Sequence, residues 1–380
     1  KHMEREGLSP NAITFICILN ACGRVGSINK GKQVHEDIVT RGWLEKDNAI
    51  GCAIVNMYAK CGMPLRAQQV LDEFHVRTLV AWNALIAGYT QQGQGHEALK
   101  CLERMRGEGL SPNVITLTSI LKACGSVNAI YKGKQIHEEI ENKGFLENGV
   151  CLNTTAIDMH TGAYSQQGQC YENIPYLATT LISMYSKCGM LAKAQEVLEK
   201  LPSRNVDTWN SLIAGYAQQG QCHEALDCLA RLLSEGILPD TITFISILKA
   251  CGSIRAIGKG KQIHNDIVNR GLSDNMLIGN ALVDMYAKCG MLAKAHEVME
   301  QLSVRDVVSW SALILGYTQK ERSYEVFHCF ERMQSEGISP DMVTFLCILR
   351  ASGDIGAMHR AIEIHAEIKG KGLLGKDMMI

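Results

Sequence analysis

The sequence has few of the features that mark a metal site, a membrane span or a strongly charged binding surface. Its 15 cysteines include no Cys-x-x-Cys pair, which argues against a structural zinc site and favours free thiols packed in a reducing compartment. No apolar run approaches the roughly 18 residues that a membrane-spanning helix needs. The 38 basic residues are balanced by 39 acidic ones, so no net positive charge attracts nucleic acid. We therefore predict neither a metal nor a membrane contact.

Motifs for catalysis are missing as well. There is no glycine-rich phosphate loop and no nucleophile elbow. His-x-Glu occurs at His137 and His365, but the Pro-Cys-x-x-Cys of zinc deaminases does not follow it. The same histidine recurs as His35 and His264, at one place in a repeated unit, so a repeated packing or surface position is predicted. The sequence therefore predicts no catalytic residue and no cofactor.

What is present is a repeated pair of short helices, seen most clearly in Val206–Asp240. Apolar residues recur at helical spacing from Trp209 to Tyr216, Gly220 ends this run, and a second amphipathic stretch follows. A proline then closes the pair, and Asp240 is placed to cap the next helix. Two short helices cannot bury their apolar faces alone. The pair is therefore predicted to stack on copies of itself.

Copies of three kinds of unit alternate along the chain. One kind carries a tryptophan, a second opens after a proline, and a third contains Met-Tyr-x-Lys-Cys-Gly. The units are roughly 36, 31 and 35 residues long, and the set of three recurs about every 100 residues. The interval is about 25 residues longer between the second and third of the four prolines that mark the period, which are Pro10, Pro112, Pro239 and Pro340. An all-helical array of repeats is predicted.

Small polar residues stand near the start and at the end of several units. Directly after Trp82, Trp209 and Trp310 come Asn83, Asn210 and Ser311. The same units end in Asn113, Asp240 and Asp341. One explanation is local: a first-turn residue and an N-cap for the next helix. The other is binding, because stacked units would present one polar pair each along a face that can read one base per unit.

The pattern resembles the pentatricopeptide repeat proteins of the PLS subclass over essentially the whole chain. In that family, P, L and S units correspond to the three kinds. The P units are Leu79–Asn113, Val206–Asp240 and Val307–Asp341. The L units are Ala12–Asp47, Val114–Gly149, Thr241–Asn275 and Met342–Asp377, and the S units are Asn48–Thr78, Pro175–Asn205 and Met276–Asp306.

The resemblance also suggests how the chain is divided. Residues 1–11 are the tail of a P unit together with residues such as His2-Met3, which look like a cloning remnant. Residues 12–149 hold repeats L-S-P-L, and 150–174 form an irregular or degenerate repeat, expected to be an imperfect helical hairpin. Residues 175–377 hold S-P-L-S-P-L, and 378–380 begin a further S unit.

The resemblance implies sequence-specific binding of single-stranded RNA, with each base chosen by the polar pair of one unit. The implied readings are cytosine, or any pyrimidine, for Asn83 with Asn113; adenine for Thr179 with Asn205; uracil for Asn210 with Asp240 and for Asn280 with Asp306; and guanine for Ser311 with Asp341. Aliphatic residues that sandwich bases in the family are matched by Val80, Leu277 and Val308. Asp207 and Pro175 depart from that pattern.

Some units should not read a base. Cys52 with Thr78 lies outside the usual pairs of the family. In the L units, Ile16, Ile245 and Leu346 could not hydrogen-bond a base edge. The implied target therefore has adjacent A and U, one unread base, and then UG.

We therefore expect a right-handed superhelical α-solenoid that serves as the RNA-targeting array of a plant organellar cytidine-to-uridine editing factor, in the chloroplast or the mitochondrion. The family implies that the deaminase lies beyond the C-terminus or in a partner, so the chain itself is not expected to be an enzyme. The family also implies accessory editing factors that dock on L units. Self-association through uncapped ends is a further prediction, and light scattering tests it.

Two alternatives stand beside this interpretation. A protein-binding scaffold of tetratricopeptide type would also be an array of helix pairs, but its units hold at about 34 residues and carry a Trp-Leu-Gly-Tyr signature that is missing here. A deaminase or nuclease would need metal ligands that these residues do not supply.

Overall fold

The computed structural model describes residues 9–44, 47–74, 77–146 and 166–371, the last range with side chains from Tyr176 onward. These residues form twenty helices and contain no strand. None of the helices in this part of the chain has both the length and the apolarity to cross a bilayer. The prediction of an all-α repeat fold is confirmed, whereas the right-handed superhelical course stays a prediction.

The helices fall into two compact units, Lys1–Arg204 and Asn205–Ile380. The first unit contains α1 (Ala12–Val25), α2 (Ile28–Thr40), α3 (Asn48–Lys60), α4 (Pro64–Asp72), α5 (Leu79–Gln91), α6 (Gly95–Gly107), α7 (Val114–Ser126), α8 (Ile130–Asn142), α9 (Gln166–Lys187) and α10 (Leu191–Lys200). The second contains α11 (Val206–Gln218), α12 (Cys222–Ser234), α13 (Thr241–Ser253), α14 (Ile257–Asn269), α15 (Met276–Lys288), α16 (Leu292–Gln301), α17 (Val307–Gln319), α18 (Ser323–Ser335), α19 (Met342–Asp354) and α20 (Met358–Gly370).

Local sequence explains where a typical helix pair begins and turns. The side chain of Asn205 accepts the backbone N–H of Thr208 and so caps α11. Gly220 follows α11 with a φ of 75°, a left-handed conformation in which glycine meets no Cβ penalty. Gly236, with a φ of 71°, has the same role after α12. The helix pair is therefore bounded by one cap and two glycines.

The core runs between the first helices of successive repeats. Within the first unit these are the contacts of α1 with α3, α3 with α5, α5 with α7 and α7 with α9, and the second unit has the same order from α11 to α19. Each P unit places a tryptophan in this core, and Trp82, Trp209 and Trp310 are fully buried. Their indole N–H groups donate to Glu108, Glu235 and Glu336, so the buried polar atom is satisfied.

The contact from each L unit to the following S unit uses glycine and histidine. A Cβ on Gly260 of α14 would lie 2.6 Å from Met285 Sδ, and one on Gly133 of α8 would lie 2.7 Å from Met184 Sδ, so a larger residue would require the methionine side chain to move. Next to it, Nδ1 of His264 lies 2.8 Å from the Tyr286 hydroxyl. The same histidine–tyrosine contact recurs as His35 with Tyr58 and His137 with Tyr185. The prediction of a repeated packing position is confirmed for these three histidines.

One helix departs from the predicted unit boundaries. Helix α9 is 22 residues long and begins at Gln166, whereas the sequence placed the start of an S unit at Pro175. Part of the predicted irregular segment 150–174 is therefore continuous with the first helix of that S unit. The rest of that segment, to residue 165, lies outside the described residues, as do most of residues 1–11 and all of 378–380.

Candidate functional site

Stacking of the first helices brings together the two polar residues that the sequence singles out. In the three P units and in the first and third S units, the fifth residue of the first helix contacts the N-cap residue of the first helix in the next repeat. The N-cap residue uses one side-chain oxygen to accept a backbone N–H of its own helix, as Asp240 does from Thr243 at 2.8 Å. The local and the binding explanations of these residues are therefore compatible, because one side chain takes part in both arrangements.

The three P units form their predicted pairs. Asn83 Nδ2 donates to Asn113 Oδ1 at 3.2 Å, and Asn210 Nδ2 donates to Asp240 Oδ1 at 3.0 Å. Ser311 Oγ donates to Asp341 Oδ1, also at 3.0 Å. Asn210 and Ser311 are buried, at 5% and 7% exposure, whereas their N-cap partners are half-buried. In these two pairs one member is buried and the other is partly open to solvent, whereas Asn83 and Asn113 are both half-buried.

The S units are less uniform. Asn280 Nδ2 lies 3.1 Å from both carboxylate oxygens of Asp306, and Asn280 Oδ1 is buried with no hydrogen-bond partner among the described residues. Cys52 Sγ lies 3.1 Å from Thr78 Oγ1, so this unusual pair adopts the same geometry. Burial raises the pKa of the Cys52 thiol, which keeps it protonated.

The predicted pair of Thr179 with Asn205 has a different status. Thr179 belongs to the first compact unit and Asn205 to the second. The structure describes Asn205 only as the N-cap of α11, where Oδ1 accepts the Thr208 N–H at 3.0 Å. The pairing of Thr179 with Asn205 therefore stays a prediction.

Hydrogen-bonding capacity remains on the pairs after these contacts. Within the described residues, Oδ2 of Asp240 and of Asp341 accepts no hydrogen bond, and Asn113 Nδ2 donates none. Asn210 Nδ2 has a second N–H beyond the one given to Asp240. An Asn/Asp pair can thus offer a donor and an acceptor, a Ser/Asp pair two acceptors, and an Asn/Asn pair two donors.

The residues proposed to sandwich bases lie exposed beside the pairs. Val80, Leu277 and Val308, each the second residue of a first helix, are 55–59% exposed. The L units have exposed aliphatic residues at the same helical place, which the sequence analysis did not single out: Ile13, Ile115, Ile242 and Val343. Their recurrence two residues after the N-cap is a signal that could have identified them.

The assignment of Pro175 to this place was one residue out of register. Counted from the start of the S unit, the second residue is Tyr176, which is 49% exposed. The ammonium of Lys122 lies 4.8 Å from the centroid of its ring. The error arose because the unit begins inside the long helix α9 and has no cap to mark its first residue. Asp207, the second residue of α11, is exposed and lacks an apolar side chain.

The described residues contain no group of three histidine, cysteine, aspartate or glutamate side chains that could hold a metal. Every cysteine among them is a free thiol. Burial raises the pKa of Cys101, Cys124, Cys228 and Cys329 to about 12, so these thiols are poor nucleophiles at neutral pH.

Comparison with known protein families decides what kind of array this is. A family model described as the PPR repeat family matches residues 77–126, 204–253 and 305–354, and a second, described as the PPR repeat, matches 177–206 and 280–307. The chain belongs to the pentatricopeptide repeat family. This membership rules out the tetratricopeptide alternative.

Similar proteins cover the chain almost completely. A chloroplastic pentatricopeptide repeat-containing protein of Arabidopsis thaliana is 34% identical over 94% of this chain and 53% of its own length. A mitochondrial relative from the same plant is 32% identical over 94% of this chain and 39% of its own length. The pentatricopeptide repeat protein PPR10, solved in complex with an 18-nucleotide psaJ RNA element, has a TM-score of 0.72 at 19% identity, over 95% of this chain and 50% of that one. The chain thus spans about half the length of these relatives or less.

Proposed function

We propose that this pentatricopeptide repeat chain binds single-stranded RNA and reads one base with each competent polar pair. The observation that carries the proposal is the recurring pair itself, with one member fixed by hydrogen bonds and one atom left to face a base. Family membership supports the same function, because a PPR10 structure contains bound RNA. Exposed aliphatic residues next to each pair supply an apolar surface on which a base can lie.

The hydrogen-bonding capacity of the pairs matches the implied bases. Uracil presents the N3–H donor between two carbonyl acceptors, which suits the spare N–H of Asn210 and the free Oδ2 of Asp240. Guanine presents the donors N1–H and N2–H, which suit the acceptors of Ser311 and Asp341. Cytosine presents the acceptors N3 and O2, which suit the donors of Asn83 and Asn113. Recognition along the Watson–Crick edge of unstacked bases is typical of proteins that read single-stranded RNA.

The L units would hold a base without reading it. Ile245, the fifth residue of α13, is half-buried, and Leu346, the fifth residue of α19, is 58% exposed; neither side chain has a polar atom. Ile242 and Val343 nevertheless provide the exposed aliphatic position two residues after the cap. A base opposite an L unit would gain apolar contact without a hydrogen bond, which gives the target one unrestricted base between AU and UG.

In its cellular role, we propose that the chain is the RNA-targeting array of a PLS-type organellar editing factor in a plant. The alternation of three unit lengths supports the PLS assignment, and relatives in Arabidopsis thaliana are named chloroplastic or mitochondrial. The L units would dock accessory editing factors, and the cytidine deaminase would belong to another segment or to a partner. The chain itself would choose the transcript.

Selection from a random pool of single-stranded RNA at a stated, near-physiological salt concentration tests the proposal. The expected result is enrichment of AU-N-UG preceded by a pyrimidine a few bases upstream. The distance to that pyrimidine would also measure how many bases residues 150–174 span. Binding of all sequences alike, with strong salt sensitivity, would contradict base reading, and absence of binding to any RNA would contradict the proposal as a whole.

A further inference from the structure

Beneath the polar pairs of the P units lies a buried hydroxyl from the next repeat. Thr116, Thr243 and Thr344 are each the third residue of an L-unit first helix, and each is 0% exposed. Thr116 Oγ1 lies 2.5 Å from Asn83 Oδ1, and Thr243 Oγ1 lies 2.6 Å from Asn210 Oδ1. Thr344 Oγ1 lies 2.9 Å from Ser311 Oγ. A residue with no exposed surface cannot touch RNA itself, so any effect on RNA must pass through its partner.

The threonine is oriented toward the pair by the helix cap. The backbone N–H of Asp240 donates to Thr243 Oγ1 at 3.1 Å, and that of Asn113 donates to Thr116 Oγ1 at 3.3 Å. Because these N–H groups occupy a lone pair, the single hydroxyl proton is available for the pair. The hydroxyl of Thr243 is directed at Asn210 Oδ1, and Asp240 Oδ1 is a second acceptor at 2.9 Å.

The corresponding hydroxyls of the P units are turned the other way. Thr208 Oγ1 donates to the backbone oxygen of Asn205 at 2.8 Å, and Ser309 Oγ donates to that of Asp306 at 2.9 Å. Ser309 occupies the same place relative to Asn280 as Thr243 does relative to Asn210. Because the Ser309 hydroxyl is turned away, the amide oxygen of Asn280 has no donor among the described residues. Two pairs of identical composition, Asn210/Asp240 and Asn280/Asp306, therefore differ in whether the asparagine is held at both ends.

We propose that the buried threonine of the L units that follow a complete P unit, namely Thr116, Thr243 or Thr344, is a positioning residue that sharpens base discrimination by the preceding P unit. By donating to the asparagine oxygen, Thr243 fixes which end of the amide meets Asp240 and where the spare N–H of Asn210 points. Thr116 does the same for Asn83. Without it, either end of the Asn83 amide could bond to the side chain of Asn113. The inference rests on the proposed base reading and deepens it: the L unit contributes to the base of its neighbour.

The unaltered protein contains a first test. Replacing the uracil opposite Asn210/Asp240 by another base should weaken binding more than the same replacement opposite Asn280/Asp306. A difference of about three- to tenfold is expected, the ratio that one net hydrogen bond produces. Equal losses at the two uracils, or a larger loss at Asn280/Asp306, would overturn the proposal.

The substitution Thr243→Val removes the hydroxyl and keeps the branched shape. It should lower the preference for uracil at the base read by Asn210 about three- to tenfold, and Thr243→Ser should restore it. Thr208→Val is the matched control, because it also removes a hydroxyl that accepts the N-cap N–H, yet that hydroxyl does not donate to an asparagine side chain. It should leave the preference at the Asn210 base unchanged.

The readout is the ratio of dissociation constants for RNAs that differ only at that base, which a general loss of stability would not change. Retention of the ratio in Thr243→Val, or an equal loss in Thr208→Val, would overturn the positioning role. The same substitution at Thr116 and at Thr344 repeats the test at two other bases, so one unstable variant does not decide it. If the unaltered protein shows no base preference, the proposed function fails first and independently of any threonine.

Discussion

At the scale of single residues, the proposed function would give the side chain of each N-cap residue a recognition role beside its structural one. Asp240 caps α13 with Oδ1 and leaves Oδ2 without a partner in the described chain. Because the cap holds the carboxylate in place before RNA arrives, little side-chain entropy remains to be lost on binding. The N-cap is therefore a favourable position for a base-reading residue.

Replacing Asn210 by threonine should change the base that this unit prefers. In the Asn210→Thr variant, the threonine hydroxyl can donate to Asp240 and offers a lone pair where Asn210 offers an N–H. The pair would therefore present two acceptors. The preference at that one base should move from uracil to guanine, with neighbouring bases unchanged, as measured by competition among four RNAs. Equal weakening of all four would mean that Asn210 is structural.

The sequence predicted which residues form the pairs but not how each is held. Asn83, Asn210, Asn280 and Ser311 could be found from their spacing and from the caps that follow. The direction of the Thr243 and Ser309 hydroxyls could not, because it depends on three side chains from different repeats. Nor could the unpaired oxygen of Asn280, since the pair Asn280/Asp306 has the same composition as Asn210/Asp240.

At the scale of helices, close packing between L and S units should be sensitive to a single methyl group. Gly260→Ala in α14 would bring its Cβ to 2.6 Å from the buried Met285 Sδ. It should lower the free energy of unfolding by about 1–3 kcal/mol, as overpacking usually does. A urea titration followed by circular dichroism would measure it.

Gly258→Ala is the control, in the same helix and with no atom within 4 Å of the new Cβ. It should be neutral or stabilising by about 0.5–1 kcal/mol, because alanine is the better helix former. If both substitutions have the same effect, the contact of Gly260 with Met285 does not limit packing.

The histidine–tyrosine contacts should make stability fall in mild acid. Burial lowers the pKa of His35, His137 and His264, so the unfolded chain binds protons on these residues more readily than the folded one. The contribution of these neutral histidines to stability is fully present above the unfolded pKa of about 6.5. It is lost as pH falls below that value, by up to about 1.4 kcal/mol per histidine for each pH unit.

Urea midpoints at pH 7.5 and 5.5 would measure this loss. His264→Gln should reduce the difference between the two midpoints, since glutamine does not titrate. His223→Gln changes an exposed histidine of α12 and should leave the difference as it is. An unchanged difference in His264→Gln would mean that other groups cause the loss of stability.

At the scale of the whole molecule, the balance of basic and acidic residues should leave little general attraction to phosphates, so that the proposed RNA binding would depend mainly on the polar pairs. Many basic side chains are engaged in ion pairs, among them Arg77 with Glu108, Arg104 with Asp72 and Arg332 with Glu300. Affinity for the selected RNA should therefore depend weakly on salt. A log–log slope steeper than about −3.5, the value that five phosphate contacts give for a single strand, would contradict this.

The array as a whole was largely predictable, because its period, caps and glycines are local signals that recur. Helix α9 was the exception. The sequence indicates an S unit that begins at Pro175, but this residue lies inside the helix, so no cap marks the start of the unit. A damaged copy of a repeat loses the signals from which repeats are recognised.

The junctions between units also limit how such a chain can be shortened, extended or redesigned. Within the two compact units, L units meet S units through glycine against methionine, the first and third S units meet the following P units through arginine–carboxylate pairs, and P units meet L units through the buried threonine. A unit moved next to the wrong neighbour would lose its half of a junction. The piece that can be duplicated or exchanged is therefore the set of three, cut at the same point in each copy, and the target would grow three bases at a time.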